Sequence, residues 1–534
     1  MPRTETLRRL LGAYRLAEQC EAEHISTDAA LARRDEQAAR TISRRDALRI
    51  LGSSGAVALA GSRLGGTVRT LAAAPRVAIV GGGLAGLACA DRLQARGVGA
   101  IVYEASARLG GRCFSNRSLV PGMACENGGE LIDTAHKTML RYANELGLAL
   151  ESYIKKSGSE TFWFFGRAWS EAEVVDQFRA VVSRMQPDLR AISGAATFLD
   201  HNAADVAFDL MDLATYFSTR TSGLPGIEAV LNEAYLAEYG LETWQQSTLN
   251  FLGFMRLNKR SKFEPFGVSD ERFHLVDGND GIIRGLTGRI RGPVVTGARL
   301  TRLARSASGR VLLYFNGSST PEVADAVVLA IPFTTLRQVQ LDASLGWSGD
   351  KHRAIATLGY GTNAKTMVAF EGRPWDELYG ASGGAYSDLP NLQCTWETNR
   401  ARAVRYGIIT DYASGTRGAA LRTAQLQQQV GSFLTDFDVA FPGAAWRAAT
   451  RQGKYVAHLE PWPSNPYSLG SYTCYMPGQF TSIAGLEGQA AGPVKFAGEH
   501  ADSFYSWQGF MEGACLSGIR AANEILAEIK SGAL

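Results

Sequence analysis

The sequence predicts an α/β protein in which a discontinuous, doubly wound (Rossmann-like) parallel-sheet domain carries a second, mixed α+β domain. Three observations lead there. Val77-Ala78-Ile79-Val80 is a short unbroken apolar run, as expected of a strand covered on both faces. A glycine-rich turn, Gly81 to Gly86, follows at once, opens an Ala/Leu-rich helix over Leu84 to Ala95, and leads to a second apolar strand ending at Tyr103. Much further along, Val294-Val295 opens a strand-rich meander, Arg299 to Tyr314 and then Val323 to Ala330, and Val494 to Ala497 reads as one more strand.

Composition narrows the class. A chain of 534 residues that is 46% apolar can bury a large core and should divide into domains rather than remain disordered. Lys+Arg 55 against Asp+Glu 52 leaves a net charge of +3, which gives no reason to expect nucleic acid or an anionic membrane as partner. The seven cysteines are scattered without a C-x-x-C pair, so they read as core thiols, with neither a disulfide framework nor a metal site. No apolar run reaches the roughly 18 to 20 residues of a membrane-spanning helix.

Residues 1–74 form an N-terminal arm of different composition. Ser43-Arg44-Arg45-Asp46 precedes a weakly apolar Gly/Ala/Ser stretch, Ile50 to Gly66, with Ala72-Ala73-Ala74 beyond it. This resembles a twin-arginine export signal and implies a periplasmic or exported protein. The alternative is a helical arm kept in the cytoplasm.

Gly81, Gly83 and Gly86 satisfy G-x-G-x-x-G directly after the first strand. The first glycine permits a tight turn, the second lets backbone approach a pyrophosphate, and the third lets helix pack on strand, with the phosphates at the positive helix end. Glu104 closes the second strand, where a carboxylate accepts both ribose hydroxyls and repels a 2′-phosphate. The order of strand, turn, helix, strand and acid predicts a dinucleotide site.

The next segment, Arg108-Leu109-Gly110-Gly111-Arg112, sets two guanidinium groups around a glycine pair, a geometry suited to a diphosphate. From here to the C-terminus the chain resembles the flavin-containing amine oxidase superfamily, which includes monoamine, polyamine and L-amino acid oxidases. The resemblance implies FAD, and it continues in Gly498-Glu499 and in Trp507-Gln508-Gly509-Phe510-Met511-Glu512-Gly513. By that resemblance Gly129, Val295, Gly498, Glu499 and Met511 join Gly81, Gly83, Gly86, Glu104, Arg108, Gly111 and Arg112 as cofactor-binding residues. The implied division is 75–133, 271–340 and 466–534 for the FAD domain, with 134–270 and 341–465 for the substrate domain.

At the reacting end, Gly359 to Phe370 resembles the segment bearing the family's active-site lysine, which makes Lys365 the candidate to assist reaction with dioxygen or to orient water. Tyr472 and Phe510 match the two aromatic walls, and Trp507 lies one turn from Phe510. Ser471 stands where some members carry the cysteine that bonds FAD, so the flavin is expected to be non-covalent. His500, beside Glu499, reads equally well as a structural histidine. Several L-amino acid oxidases place an arginine close to the position of Leu131; here Arg117 or Arg256 would have to replace it. Asp133 matches an acid of polyamine-type members and is the candidate for a distal ammonium or guanidinium, although Glu130 and Asp133 would also serve as caps for a helix starting near Thr134. The function implied is oxidation of an amine or L-amino acid to an imine, with dioxygen reduced to hydrogen peroxide. An FAD-linked dehydrogenase of an apolar substrate and a non-catalytic flavoprotein platform are the alternatives. Nothing in the sequence sets the oligomeric state; a homo-oligomer is compatible with it.

Overall fold

The computed structural model describes residues 16, 17, 19–21, 23, 25–31, 33, 75–153, 158–257, 270–400, 402, 404–502 and 507–534. Arg44, Arg45 and the rest of the expected export signal lie outside the described residues, as does the side chain of Arg256.

A five-stranded sheet organises the first domain. Strand β1 (Val77–Val80) lies between β2 (Ala100–Tyr103) and β3 (Ala326–Leu329); Val294–Val295 and Val494–Phe496 complete the two edges, and every pairing is parallel. β1 and β3 are buried along their whole length, which is why they are unbroken apolar runs. Helix α1 (Leu84–Gln94) crosses from β1 to β2 and packs with the C-terminal helix α2 (Met511–Ser531). Ile79, Cys89, Val328, Ala521 and Ile525 form the core beneath them. Val77–Val80 and Met511–Ser531 therefore share one core, so this domain closes only when segments more than 400 residues apart come together.

The second domain is built on a seven-stranded sheet in the order 457–461, 364–371, 406–413, 394–397, 381–387, 159–164, 167–169. Its strand Ala364–Glu371 is buried except at its last residue. Leu426–Ala440 covers one region of this sheet through Phe433 and Phe437. A helical layer, including Glu171–Ala191, Pro225–Tyr239 and Leu249–Leu257, contributes Phe178, Tyr235 and Phe251 to the largest core.

The structure moves one expected domain boundary. The helix Lys137–Glu145, expected in the substrate domain, packs against α2 instead and buries Met139, Tyr142 and Ala143 with Leu84, Leu87 and Ala88 of α1. Glu512 of α2 explains the attachment: its buried carboxylate accepts the Thr138 and Met139 amides at that helix's N-terminus, where an anion is favoured. Neither Glu130 nor Asp133 caps this helix.

Part of the N-terminal arm is folded onto the second domain. Ala17, Cys20 and Ala30 are almost fully buried, Arg179 donates to Glu21 at 2.8 Å and to Thr27 at 3.2 Å, and Thr27 bonds Asp176. Among the described residues no helix is long and apolar enough to cross a membrane.

Candidate active site

One cavity of about 760 Å³ runs from the glycine turn to the second domain, toward the upper end of the roughly 300–1,000 Å³ typical of ligand pockets. Gly81, Gly83, Glu104, Arg108, Gly111, Arg112, Gly129, Gly498, Glu499 and Met511 line it, together with Lys365, Asp133, Tyr472 and Phe510. Three expected residues lie outside it. Gly86 packs behind the turn, where an added Cβ would stand 1.9 Å from the Gly81 carbonyl oxygen. Val295 sits on the edge strand, 41% exposed, and meets the site only through its carbonyl, which accepts the Glu104 amide at 2.8 Å; Ala298, Arg299 and Leu300 provide the cavity wall instead. Trp507 stands behind Phe510, edge-on to it and to His136.

The turn end is prepared for a diphosphate. Gly83 heads α1 in extended backbone and bridges to Gly110 of the arginine segment. An added Cβ on Gly83 would approach nothing nearer than the Gly110 oxygen at 3.9 Å, and one on Gly111 nothing nearer than 3.7 Å. Both glycines thus leave open space in front of a helix N-terminus, a cradle that fits a phosphate group. Glu104 is fixed beside it by the Gly82 and Ser106 amides, both at 2.8 Å. Arg112 donates to Glu499 at 2.9 Å and to the Ser471 carbonyl at 2.6 Å, and Thr473 donates to the same Glu499 at 3.0 Å. The two distant halves of the motif set are therefore locked together by an ion pair. Arg108 lies over the Phe114 ring at 3.8 Å and donates to Gly111.

The far end is aromatic and charged. Tyr472 lines the wall with its hydroxyl accepting from Tyr412 at 3.0 Å, and Trp396, Tyr412 and Trp462 extend the ring of aromatics. Phe510 caps the N-terminus of α2, so the positive end of that helix opens on the cavity. Lys365 is buried at the start of Ala364–Glu371 and bonds three acceptors: Glu130 Oε2 at 2.7 Å, the Gly128 carbonyl at 2.8 Å and the Glu126 carbonyl at 3.2 Å. Ser471 is engaged with Asn363. His500 is buried against Phe333 and does not line the cavity, and burial pushes its imidazole down to about 3, so it is neutral.

Asp133 shares its part of the wall with Glu271, whose amide donates to Asp133 Oδ1 at 2.9 Å. Glu271 has a φ of +40°, a conformation that costs a non-glycine residue energy, and the antiparallel bridge between Ile132 and Phe273 holds it there. His136 lies behind Asp133; burial holds its imidazole down near 3. Its Nδ1 accepts the Asp133 amide, which leaves the proton on Nε2, 3.6 Å from Asp133 Oδ2. Arg117 is tied to Asp280 and the Asp277 carbonyl, and does not line the cavity.

Glu126, next to the glycine segment, carries a pH signature. Burial pushes its carboxyl up to about 7, against the lowering effect of bonds from the Asn279 amide and Ser115. Its folded value exceeds the unfolded one, so its share of stability is complete below about 4.5 and is lost as pH rises through 7. Glu126→Gln removes that loss. Thermal unfolding should find the variant close to wild type at pH 5 and more stable at pH 8, by up to about 3 kcal/mol.

Residues 84–526 match the family described as flavin containing amine oxidoreductase. The chain belongs to that family. Amine oxidoreductases of this family bind flavin, and the cradle, the ribose acid and the Arg112–Glu499 lock fit FAD, which is this protein's cofactor. The chain is 25% identical over 468 residues to an L-amino-acid oxidase of Siganus canaliculatus, covering 84% of this chain and 85% of that one. It is 22% identical over 466 residues to an L-amino-acid oxidase of Mus musculus, covering 84% and 70%. In fold it is similar to cyclohexylamine oxidase from Brevibacterium oxydans IH-35A, with TM-score 0.72 and 19% identity over 85% of this chain and 99% of that one. It is likewise similar to putrescine oxidase bound to putrescine, with TM-score 0.70, 18% identity and the same coverage.

Glu271, Trp396, Tyr412 and Trp462 were not picked out in the sequence, and Glu130 was read there only as a helix cap. Glu271, Trp396, Tyr412 and Trp462 lie on strands or loops with no motif around them, and only folding brings them to the cavity; Glu130 lies in a segment that the resemblance does cover, beside Gly129, but its bond to Lys365 spans 235 residues.

Proposed function

We propose that this protein oxidises the carbon–nitrogen bond of an amine or L-amino acid that carries a second, cationic group. The amine becomes an imine, dioxygen takes the two electrons and two protons as hydrogen peroxide, and water hydrolyses the imine. Bound FAD supplies the acceptor for the hydride that leaves the α-carbon. The observation that carries the reading is Lys365, buried and lining the same cavity as the dinucleotide turn, Tyr472 and Phe510.

Those aromatics exclude water and confine the chain of the substrate, so that its α C–H bond is presented in one orientation. Hydride transfer needs no nucleophile and no metal, only a neutral reacting amine. Lys365 places a positive charge where negative charge develops during the reduction of dioxygen. Asp133 and Glu271 give a second nitrogen an anionic wall to bind. The relatives named as L-amino-acid oxidases, and the neighbours named for cyclohexylamine and putrescine, support this substrate range.

The test is a peroxide assay over diamines, monoamines, and basic, neutral and acidic L-amino acids. Diamines or basic amino acids should lead; acidic amino acids turning over fastest would overturn the substrate assignment, and no peroxide from any of them would overturn the oxidase. Ser471 at the linkage position supports a non-covalent flavin, so acid precipitation of the protein should leave its yellow colour in the supernatant. Colour in the pellet would refute that attachment.

A further inference from the structure

We infer that Glu130 is a positioning residue for Lys365, and that the Glu130–Lys365 pair acts as one unit in the reaction with dioxygen. The inference rests on the oxidase reading above and adds to it a residue to which the resemblance gave no part in the reaction.

The geometry is specific. Glu130 is 7% exposed and Lys365 5%, and their ion pair measures 2.7 Å. The remaining bonds of the Lys365 ammonium go to the carbonyls of Gly128 and Glu126, on the same segment that carries Glu130. A lysine has three protons to donate, and here three acceptors from one short stretch of chain receive them. The two carbonyls orient the ammonium, but only the carboxylate neutralises it in a buried place, where an uncompensated charge is costly. The other oxygen of Glu130 accepts the Trp396 indole N–H at 3.1 Å. Trp396 meets Tyr412 edge-on at 5.3 Å, and Tyr412 bonds the hydroxyl of Tyr472. Glu130 therefore fixes the lysine on one side and the aromatic wall on the other.

Two consequences separate this role from a merely structural one. Charge beside the cavity matters to reduction of dioxygen, where negative charge develops, more than to hydride departure from a neutral amine. Glu130→Gln and Lys365→Met should therefore each slow re-oxidation of the reduced protein by about tenfold or more, while anaerobic reduction by substrate stays within about threefold. Residues that act as a unit are also non-additive, so the double variant should be no slower than the slower single one.

The experiment is rapid mixing of both half-reactions for the FAD-loaded wild type, Glu130→Gln, Lys365→Met and the double variant, together with the visible absorption spectrum of each oxidised protein. Both single variants should shift the flavin bands in the same direction, a readout independent of turnover. If Glu130→Gln does not accumulate, Glu130→Asp, which keeps the charge but shortens the reach, should show the same selective loss to a smaller degree. Wild-type re-oxidation and an unshifted spectrum in either Glu130 variant, or additive effects in the double variant, overturn the inference. A wild type that is reduced by substrate but does not react with dioxygen overturns the oxidase reading instead, and the spectra then still decide whether Glu130 positions Lys365.

Discussion

Gly83→Val is expected to fold and to carry no flavin, whereas Gly86→Ala, three positions later in the same motif, is expected not to accumulate as folded protein. The two glycines answer to different neighbours. Gly83 has ordinary extended backbone, φ −79° and ψ −175°, which any residue adopts, and a Cβ there meets no protein atom nearer than 3.9 Å. A side chain at 83 thus costs the apoprotein little and occupies the space in front of the α1 N-terminus, where phosphate must come. Gly86 lies within α1, and its Cβ would stand 1.9 Å from the Gly81 carbonyl oxygen and 3.2 Å from Ile79. Both neighbours are fixed by β1, so helix and strand would have to part, at a cost of about 3 kcal/mol or more for overpacking a rigid contact. The measurement is the ratio of flavin to protein absorbance after purification, with thermal unfolding compared against flavin-stripped wild type, because bound ligand itself raises stability. Flavin retained by Gly83→Val would show that the cofactor does not lie against this turn.

The contrast also explains which parts of this protein were legible in its sequence. The cofactor half was, because its chemistry is local: a turn that must approach a phosphate needs its glycines within six residues, and an acid at the end of the next strand follows from one βαβ crossover. The first sheet was legible for a similar reason, since strands buried on both faces are unbroken apolar runs. Lys365 was found only by resemblance, and its partner was misjudged. Glu130 lies 235 residues away and, beside a polar segment, looks like a cap. The true anion at that helix is Glu512, from the other end of the chain. Val295 does not line the cavity, whereas Ala298 does; an edge strand and its neighbouring loop share one short apolar pattern, and only the cavity distinguishes the two. Trp507 lies off the cavity wall for a rotational reason. It and Phe510 are close in sequence, and the turn before α2 presents Phe510 to the cavity while Trp507 packs on His136. Long-range charge pairs and the facing of aromatics are decided by tertiary packing, which local sequence does not encode.

Asp133→Asn should change which substrates are used rather than whether the protein works. The Oδ1 atom of Asp133 takes the Glu271 amide at 2.9 Å, and an asparagine oxygen accepts that bond equally well, so the strained backbone at Glu271 keeps its support. What disappears is the negative charge. Asp133 lines the cavity, so a change of its charge is felt by whatever occupies that cavity. A charge-assisted bond to a desolvated ammonium contributes about 2–3 kcal/mol, which corresponds to a fall in kcat/KM of roughly 30- to 150-fold for a diamine or a basic amino acid. A monoamine lacks the second cation and should change by less than about threefold. Steady-state peroxide production on matched substrates of equal chain length, with and without the terminal amine, reads the difference directly. Equal losses on both substrates would mean that Asp133 supports the fold of the wall instead of selecting the substrate. Glu271→Gln separates the two carboxylates. If they grip one cation together, either single change removes most of the preference for the second amine, and the double change removes little more.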